Sequence, residues 1–175
     1  MRKKNSIPRP SSRALIKILK NIRLFATDVD GVLTDGGMYY SDSGQEMKKF
    51  NVWDGMGIKL LQSAGVVTAI ITALETKLVI RRAEDLKIPE VHQGIREKQV
   101  VLRKLALKYG ISLQETAYMG DDQNDMEALG SVGFSAIPAN GRPQLRPLVH
   151  YICKAKGGEG AVREVIDLIL KAKGL

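Results

Sequence analysis

Apolar residues along this chain fall into two alternating patterns, short unbroken runs and longer stretches in which they recur every three or four positions. Leu15, Ile18, Leu19 and Ile22 follow Ser11-Ser12 at helical spacing and predict a short amphipathic helix. Leu24-Phe25-Ala26 is a compact apolar run that reads as a buried strand. After Gly36, Met38-Tyr39-Tyr40 and the stretch 47–51 flank the turn residues Ser41-Asp42-Ser43-Gly44, the signature of a hairpin. Asp54 is placed to cap a helix running to Ala64. Beyond it the patterns take turns: strands at 66–71, 91–92, 116–119, 133–137 and 151–152, and helices at 76–86, 98–109, 124–129 and 161–172. Strands separated by helices predict an α/β, doubly wound parallel sheet of Rossmann-like form, with a β-hairpin after the first strand.

Composition narrows the class. With 175 residues, 44% of them hydrophobic, and a mean hydropathy of -0.12, the chain suits one domain around a real core, expected over 11–175. No apolar run approaches the ~20 residues needed to span a bilayer, and Met1-Arg2-Lys3-Lys4 is not followed by an apolar signal core. A cytoplasmic location without membrane insertion is therefore expected. Cys153 is the only cysteine, which excludes an intrachain disulfide and a thiolate metal cluster.

The net charge of +8 comes from 27 Lys and Arg against 19 Asp and Glu, and it is unevenly placed. Arg2, Lys3, Lys4, Arg9, Arg13, Lys17, Lys20 and Arg23 precede the first acid, so the excess lies in the N-terminal stretch and the remainder is neutral. A charge run of this kind is ordinarily solvated, and residues 1–10 read as a disordered basic arm rather than a nucleic-acid-binding surface. An acid-free, Arg-rich start is also a feature of organelle transit peptides.

The chemistry is concentrated where strands are predicted to end. Asp28 and Asp30 close the first strand two positions apart, so they leave one face together, and Gly31 lets the chain turn. Adjacent carboxylates repel, and a divalent cation can keep one ionised while a proton stays on the other. An acidic turn would use the same residue types. The second strand, however, ends at Thr72, the loop after the third leads to Lys98, and the fourth opens into Gly120-Asp121-Asp122-Gln123-Asn124-Asp125. In doubly wound folds ligands bind beyond the carboxyl ends of the strands. Carboxylates, a hydroxyl and an ammonium gathered there equip a site for phosphoryl transfer.

These four motifs, in this order, resemble the haloacid dehalogenase superfamily of phosphatases over roughly residues 22–173. The resemblance implies that Asp28 is the nucleophile and Asp30 the general acid and base, with Thr72 donating to the transferring phosphoryl group and Lys98 neutralising charge. It further implies Mg²⁺ held by Asp28, the backbone carbonyl of Asp30 and Asp121, with Asp122 and Asp125 in support. A phospho-receiver module also gathers acids, a Thr and a Lys on a parallel sheet, but needs no acid two residues after the phospho-acceptor. A non-catalytic oligomerisation module is the other alternative.

Gly31 to Gly55, Thr72 to Lys98 and Lys98 to Asp121 each span fewer than about 30 residues, too few for a folded cap domain. Among capless members the chain is most similar to the 3-deoxy-D-manno-octulosonate 8-phosphate phosphatases, with the acylneuraminate 9-phosphate phosphatases close behind. Thr34-Asp35-Gly36-Gly37, Phe50-Asn51-Val52, Asp54-Gly55, Arg81-Arg82-Ala83, Gln93-Gly94 and the block from Gly157 to Glu164 carry this likeness. Members are typically homotetramers whose subunits complete one another's sites. The likeness thus implies a small acidic sugar phosphate as substrate, with Arg82, Gly158, Glu159 and Gly160 contributing to its binding across subunits. Two positions depart from the pattern: Ala73-Leu74 stands where octulosonate phosphatases usually have Gly-Arg, and Trp53 where an Arg is often found.

Overall fold

The structure, a computed structural model, describes residues 10–175, so the expected basic arm lies outside it apart from Pro10. Among the described residues eight strands form: β1 (Leu24–Thr27), β2 (Tyr39–Tyr40), β3 (Glu46–Met47), β4 (Val67–Ile71), β5 (Glu90–His92), β6 (Thr116–Met119), β7 (Phe134–Ile137) and β8 (Tyr151–Ile152). Between and around them run α1 (Ser12–Lys20), α2 (Val52–Ser63), α3 (Lys77–Leu86), α4 (Lys98–Lys108), α5 (Met126–Ser131) and α6 (Ala161–Lys173). Six strands make one sheet in the order β5-β4-β1-β6-β7-β8, every neighbouring pair parallel; β2 and β3 form a separate antiparallel hairpin. This is the doubly wound α/β arrangement, with no cap domain among the described residues.

Strand alternation divides the core. Phe25 faces one side of the sheet and packs with Leu19, Ile58, Leu61, Val79, Val162 and Ile166, from α1, α2, α3 and α6. Leu24 and Ala26 face the other side and pack with Leu102, Leu105, Ala128 and Leu129, from α4 and α5. A central parallel sheet covered on both faces explains why its strands read as unbroken apolar runs.

Helix starts follow the side chains available to cap them. Ser11 accepts from Ala14 N, Asn51 from Trp53 N and Thr76 from Leu78 N. The capping role expected of Asp54 is therefore taken by Asn51, three residues earlier. Asp54 lies inside the first turn of α2, buried, and its Oδ1 accepts from Arg163 N at 2.7 Å. It thereby satisfies a free amide at the start of α6, where a carboxylate is favoured by the helix dipole. Burial pushes the Asp54 carboxyl up to about 6, against the opposing pull of the α6 amides.

The glycine-rich block before α6 is also internal. Gly158 N donates to Val32 O at 3.0 Å, Gly158 O accepts from Asn51 Nδ2 at 3.3 Å, and a Cβ on Gly157 would fall 1.8 Å from Gly31 O. Only glycine allows this approach to the loop after β1. Because Val162, Val165, Ile166 and Ile169 of α6 are fully buried, deleting residues 157–175 is expected to leave an unfolded chain by circular dichroism. Deleting only Gly174 and Leu175 should leave it folded, and a cooperative melt from the larger deletion would contradict this account.

Candidate active site at the strand ends

Register assembles the site. Leu24 pairs with Val67 on one side and Thr116 on the other, so β1, β4 and β6 end at one level. The amide of Asp28 extends the ladder by donating to Met119 O at 2.9 Å, which sets Asp28 beside the turn at Gly120. A cavity of about 510 Å³ opens there, lined by Asp28, Asp30, Gly31, Thr72, Leu74, Asp121 and Asp122 among others.

Asp28 is buried and held at both oxygens: Oδ1 accepts from Val29 N at 2.7 Å, and Oδ2 from Lys98 Nζ. Lys98, the first residue of α4, is fully buried and also donates to Asp125 Oδ1 at 2.7 Å. Burial opposes a charged ammonium, but Asp28 and Asp125 outweigh it and hold the Lys98 pKa above its ordinary value. The same Asp125 Oδ1 accepts from the buried Tyr118 hydroxyl at 2.6 Å, and Oδ2 from the amides of Asp121 and Asp122 at 2.9 and 3.2 Å. Asp125 is thus saturated by donors and acts as the scaffold on which Lys98 and Asp121 are set. Asp122 accepts from Gln123 N at 2.7 Å and caps the turn that carries Asp125.

Carboxylate crowding marks the place for a cation. Burial, then Asp125, Asp28 and Asp122, push Asp121 up to about 7; burial and Asp125 push Asp28 to about 6 despite Lys98. Oxygen ligand atoms of Asp28, Asp121 and Asp125 lie within 4.8 Å of one another. Four donors hold Asp125, which does not line the cavity, whereas Asp28 and Asp121 do, so these two are the carboxylates that can face a metal there. Hard oxygen donors relieved of mutual repulsion by a dication fit Mg²⁺.

Thr72 caps the end of β4, buried at the cavity floor, its amide donating to His92 O at 2.9 Å. Asp30 lines the same cavity, and its Oδ1 accepts from Lys48 Nζ at 2.5 Å. Lys48 had no part in the sequence-based expectation. The alternation of a strand, which sends one member of Lys48-Lys49 inward, was the one available signal.

The expected substrate-binding residues have the following surroundings within the chain. Arg82 Nη2 donates to Asn51 O at 2.9 Å, and its guanidinium lies 5.6 Å from the Phe50 ring centroid. It braces the start of α2 in its own chain, where Gly55 leaves it room, and it does not line the cavity. Gly158 and Gly160 are buried and Glu159 is exposed. Within the chain the two glycines pack against the loop after β1 and α2, and Glu159 is the member of the block left at the surface.

Comparison with known proteins agrees with this geometry. A match to the haloacid dehalogenase-like hydrolases spans residues 67–166. The 3-deoxy-D-manno-octulosonate 8-phosphate phosphatase of Yersinia pestis is 42% identical over 164 residues, 94% of this chain and 88% of that one. Its Escherichia coli K12 counterpart is 42% identical over 165 residues, with the same coverage. The crystal structure of the Moraxella catarrhalis phosphatase of that name, in complex with a magnesium ion, a phosphate ion and a KDO molecule, superposes with a TM-score of 0.91 at 43% identity, covering 94% of each chain. A cobalt-bound form from Haemophilus influenzae gives a TM-score of 0.86 at 38% identity, covering 90% of this chain and 92% of that one.

Gly31 holds φ at +83°, and a Cβ there would fall 2.2 Å from Asp121 Oδ2. Gly31→Ala is therefore expected to displace Asp121 and weaken Mg²⁺ binding by about tenfold or more, read by titration calorimetry. Unchanged affinity would show that Asp121 is not a ligand.

Proposed function

The chain belongs to the haloacid dehalogenase-like hydrolase family and is a phosphatase, and from that premise we propose that its substrate is 3-deoxy-D-manno-octulosonate 8-phosphate. The observation that carries the chemistry is the placement of Asp28 and Asp30 in one cavity, with Lys98 behind Asp28 and Thr72 and Asp121 beside it. An Asp28 oxygen attacks phosphorus while Asp30 protonates the departing sugar oxygen, leaving an aspartyl phosphate. Asp30, now a carboxylate, takes a proton from water as that water attacks the phosphoryl group, and phosphate leaves. Lys98 keeps Asp28 oriented and offsets charge, and the Thr72 hydroxyl donates to a phosphoryl oxygen. Asp28, Asp121 and the Asp30 backbone carbonyl would hold Mg²⁺, which would supply positive charge against the phosphoryl oxygens.

Substrate choice rests on the likeness to the octulosonate phosphatases. Leu74 lines the cavity where those enzymes usually carry Arg and the acylneuraminate branch often a Glu, so it matches neither, and the second reading is an acylneuraminate 9-phosphate or another acidic sugar phosphate. The proposal includes a homotetramer, supported by the exposed apolar side chains Tyr39, Tyr40, Met47, Trp53, Met56 and Leu74 on the hairpin, α2 and the loop after β4. It also includes a cytoplasmic location. Among the described residues no helix is long and apolar enough to cross a membrane.

Phosphate release from octulosonate 8-phosphate, beside an acylneuraminate 9-phosphate and a sugar-phosphate panel, decides between the substrates. The expected result is a preference for octulosonate 8-phosphate that chelation of the metal abolishes. Preference for another acidic sugar would transfer the assignment to it. Asp28→Asn should lower turnover by about 10³-fold or more while the chain still melts cooperatively, at a lower temperature because Lys98 loses a charged partner, and retention of most activity would refute the nucleophile.

A further inference from the structure

A lysine that the chemistry above does not use sits against the acid. Lys48 follows β3, and its side chain is 2% exposed, whereas that of adjacent Lys49 is 56% exposed. The two point opposite ways: Lys49 Nζ lies 3.7 Å from Asp35 Oδ2 at the surface, and Lys48 Nζ donates to Asp30 Oδ1 at 2.5 Å. An ammonium drawn out of water on a flexible stem is costly unless matched by a carboxylate, so this pairing is a demand of the hairpin's position and not a surface accident.

The consequence falls on Asp30. Its side chain remains 26% exposed and lines the cavity; Oδ1 is committed to Lys48, and among the described residues no donor holds Oδ2. A free aspartate would sample several rotamers, whereas proton transfer requires one oxygen within hydrogen-bond reach of the leaving atom. The hairpin that delivers Lys48 is itself anchored, by Tyr39 OH donating to Asp35 Oδ2 at 2.6 Å and Thr76 Oγ1 to Glu46 Oε2 at 3.5 Å.

We propose that Lys48 is a positioning residue for the general acid: it grips Asp30 Oδ1 so that Oδ2 delivers its proton to the ester oxygen as the P–O bond breaks. This rests on the proposed role of Asp30. In the second half-reaction the same held carboxylate takes the proton of water at Oδ2 while the water oxygen bonds to phosphorus and the bond from phosphorus to the Asp28 oxygen breaks, returning the Asp28 carboxylate.

The test uses the full chain with Mg²⁺ and two esters. Octulosonate 8-phosphate expels an alkoxide and needs the proton; p-nitrophenyl phosphate expels a stable phenolate and does not. The parameter is kcat/KM, which covers only the steps through transfer to Asp28. Lys48→Met is expected to lower it about 100-fold for the sugar phosphate and less than about tenfold for the aryl ester, with Lys48→Arg restoring most of the loss. In an Asp30→Asn background, Lys48→Met should add no further loss. Equal losses on the two esters, no loss on either, a loss confined to KM for the acidic sugar, or an undiminished effect in the Asp30→Asn background would each overturn the proposal. Should Lys48→Met fail to melt cooperatively, Lys48→Gln replaces it under the same criteria. Asp30→Asn alone separates the premises: without ester discrimination in that variant the role of Asp30 falls, and with it present while Lys48→Met shows none, only the role of Lys48 falls.

Discussion

The fully buried ammonium of Lys98, shared between Asp28 and Asp125, is the interaction on which the rest of the site depends. A charge with no access to water must be matched on the spot, and removing one member of a buried pair costs about 3–5 kcal/mol because the other is stranded. The pairing therefore constrains three segments at once: the end of β1, the start of α4, and the turn after β6. Tyr118 and the amides of Asp121 and Asp122 occupy the remaining capacity of Asp125, so the turn has one way to sit. What looks like a set of catalytic groups is first a solution to an electrostatic problem inside the protein. Asp28 is left with carboxylate character at the mouth of the cavity, and the excess of acids there is what a divalent cation would correct.

A second constraint is size. With no cap domain among the described residues, the site is bordered by short pieces: the loop from Gly31 to Gly36 and Ala73-Leu74 after β4, with the hairpin of β2 and β3 reaching Asp30 through Lys48. These pieces are tied from behind. Gly157 and Gly158 pack against the loop after β1, and Asp54 joins α2 to the start of α6, so the C-terminal helix supports the face that bears Asp30. The block most similar to the octulosonate phosphatases thus has a mechanical reason to be glycine-rich within a single chain.

Much of this was visible in the order of residues. Every strand of the sheet was foreseen within a residue or two, because a parallel sheet covered on both faces needs unbroken apolar runs. Asp28, Asp30, Thr72, Lys98 and Asp121 were foreseen as one site, because they close or follow successive strands and strand ends in such a sheet converge. Asp54 was misread as a cap, since an Asp near a helix start looks the same whether it serves its own helix or another's. The contacts of Arg82 with Asn51 and Phe50, and of Gly157 and Gly158 with the loop after β1, were not legible for a related reason: residue type and local spacing do not say which neighbour a residue meets.

The sequence by itself determined the sheet, its connections and the chemical inventory of the site, since these follow from periodicity and from residues adjacent to strand ends. Tertiary structure alone decided the pairings among the charges. That Lys98 bridges Asp28 and Asp125, that Lys48 grips Asp30 while Lys49 faces outward, and that Asp54 answers an amide more than a hundred positions away are long-range matches. A buried charge will accept any suitable partner, and only the packing of the whole chain determines which one is within reach.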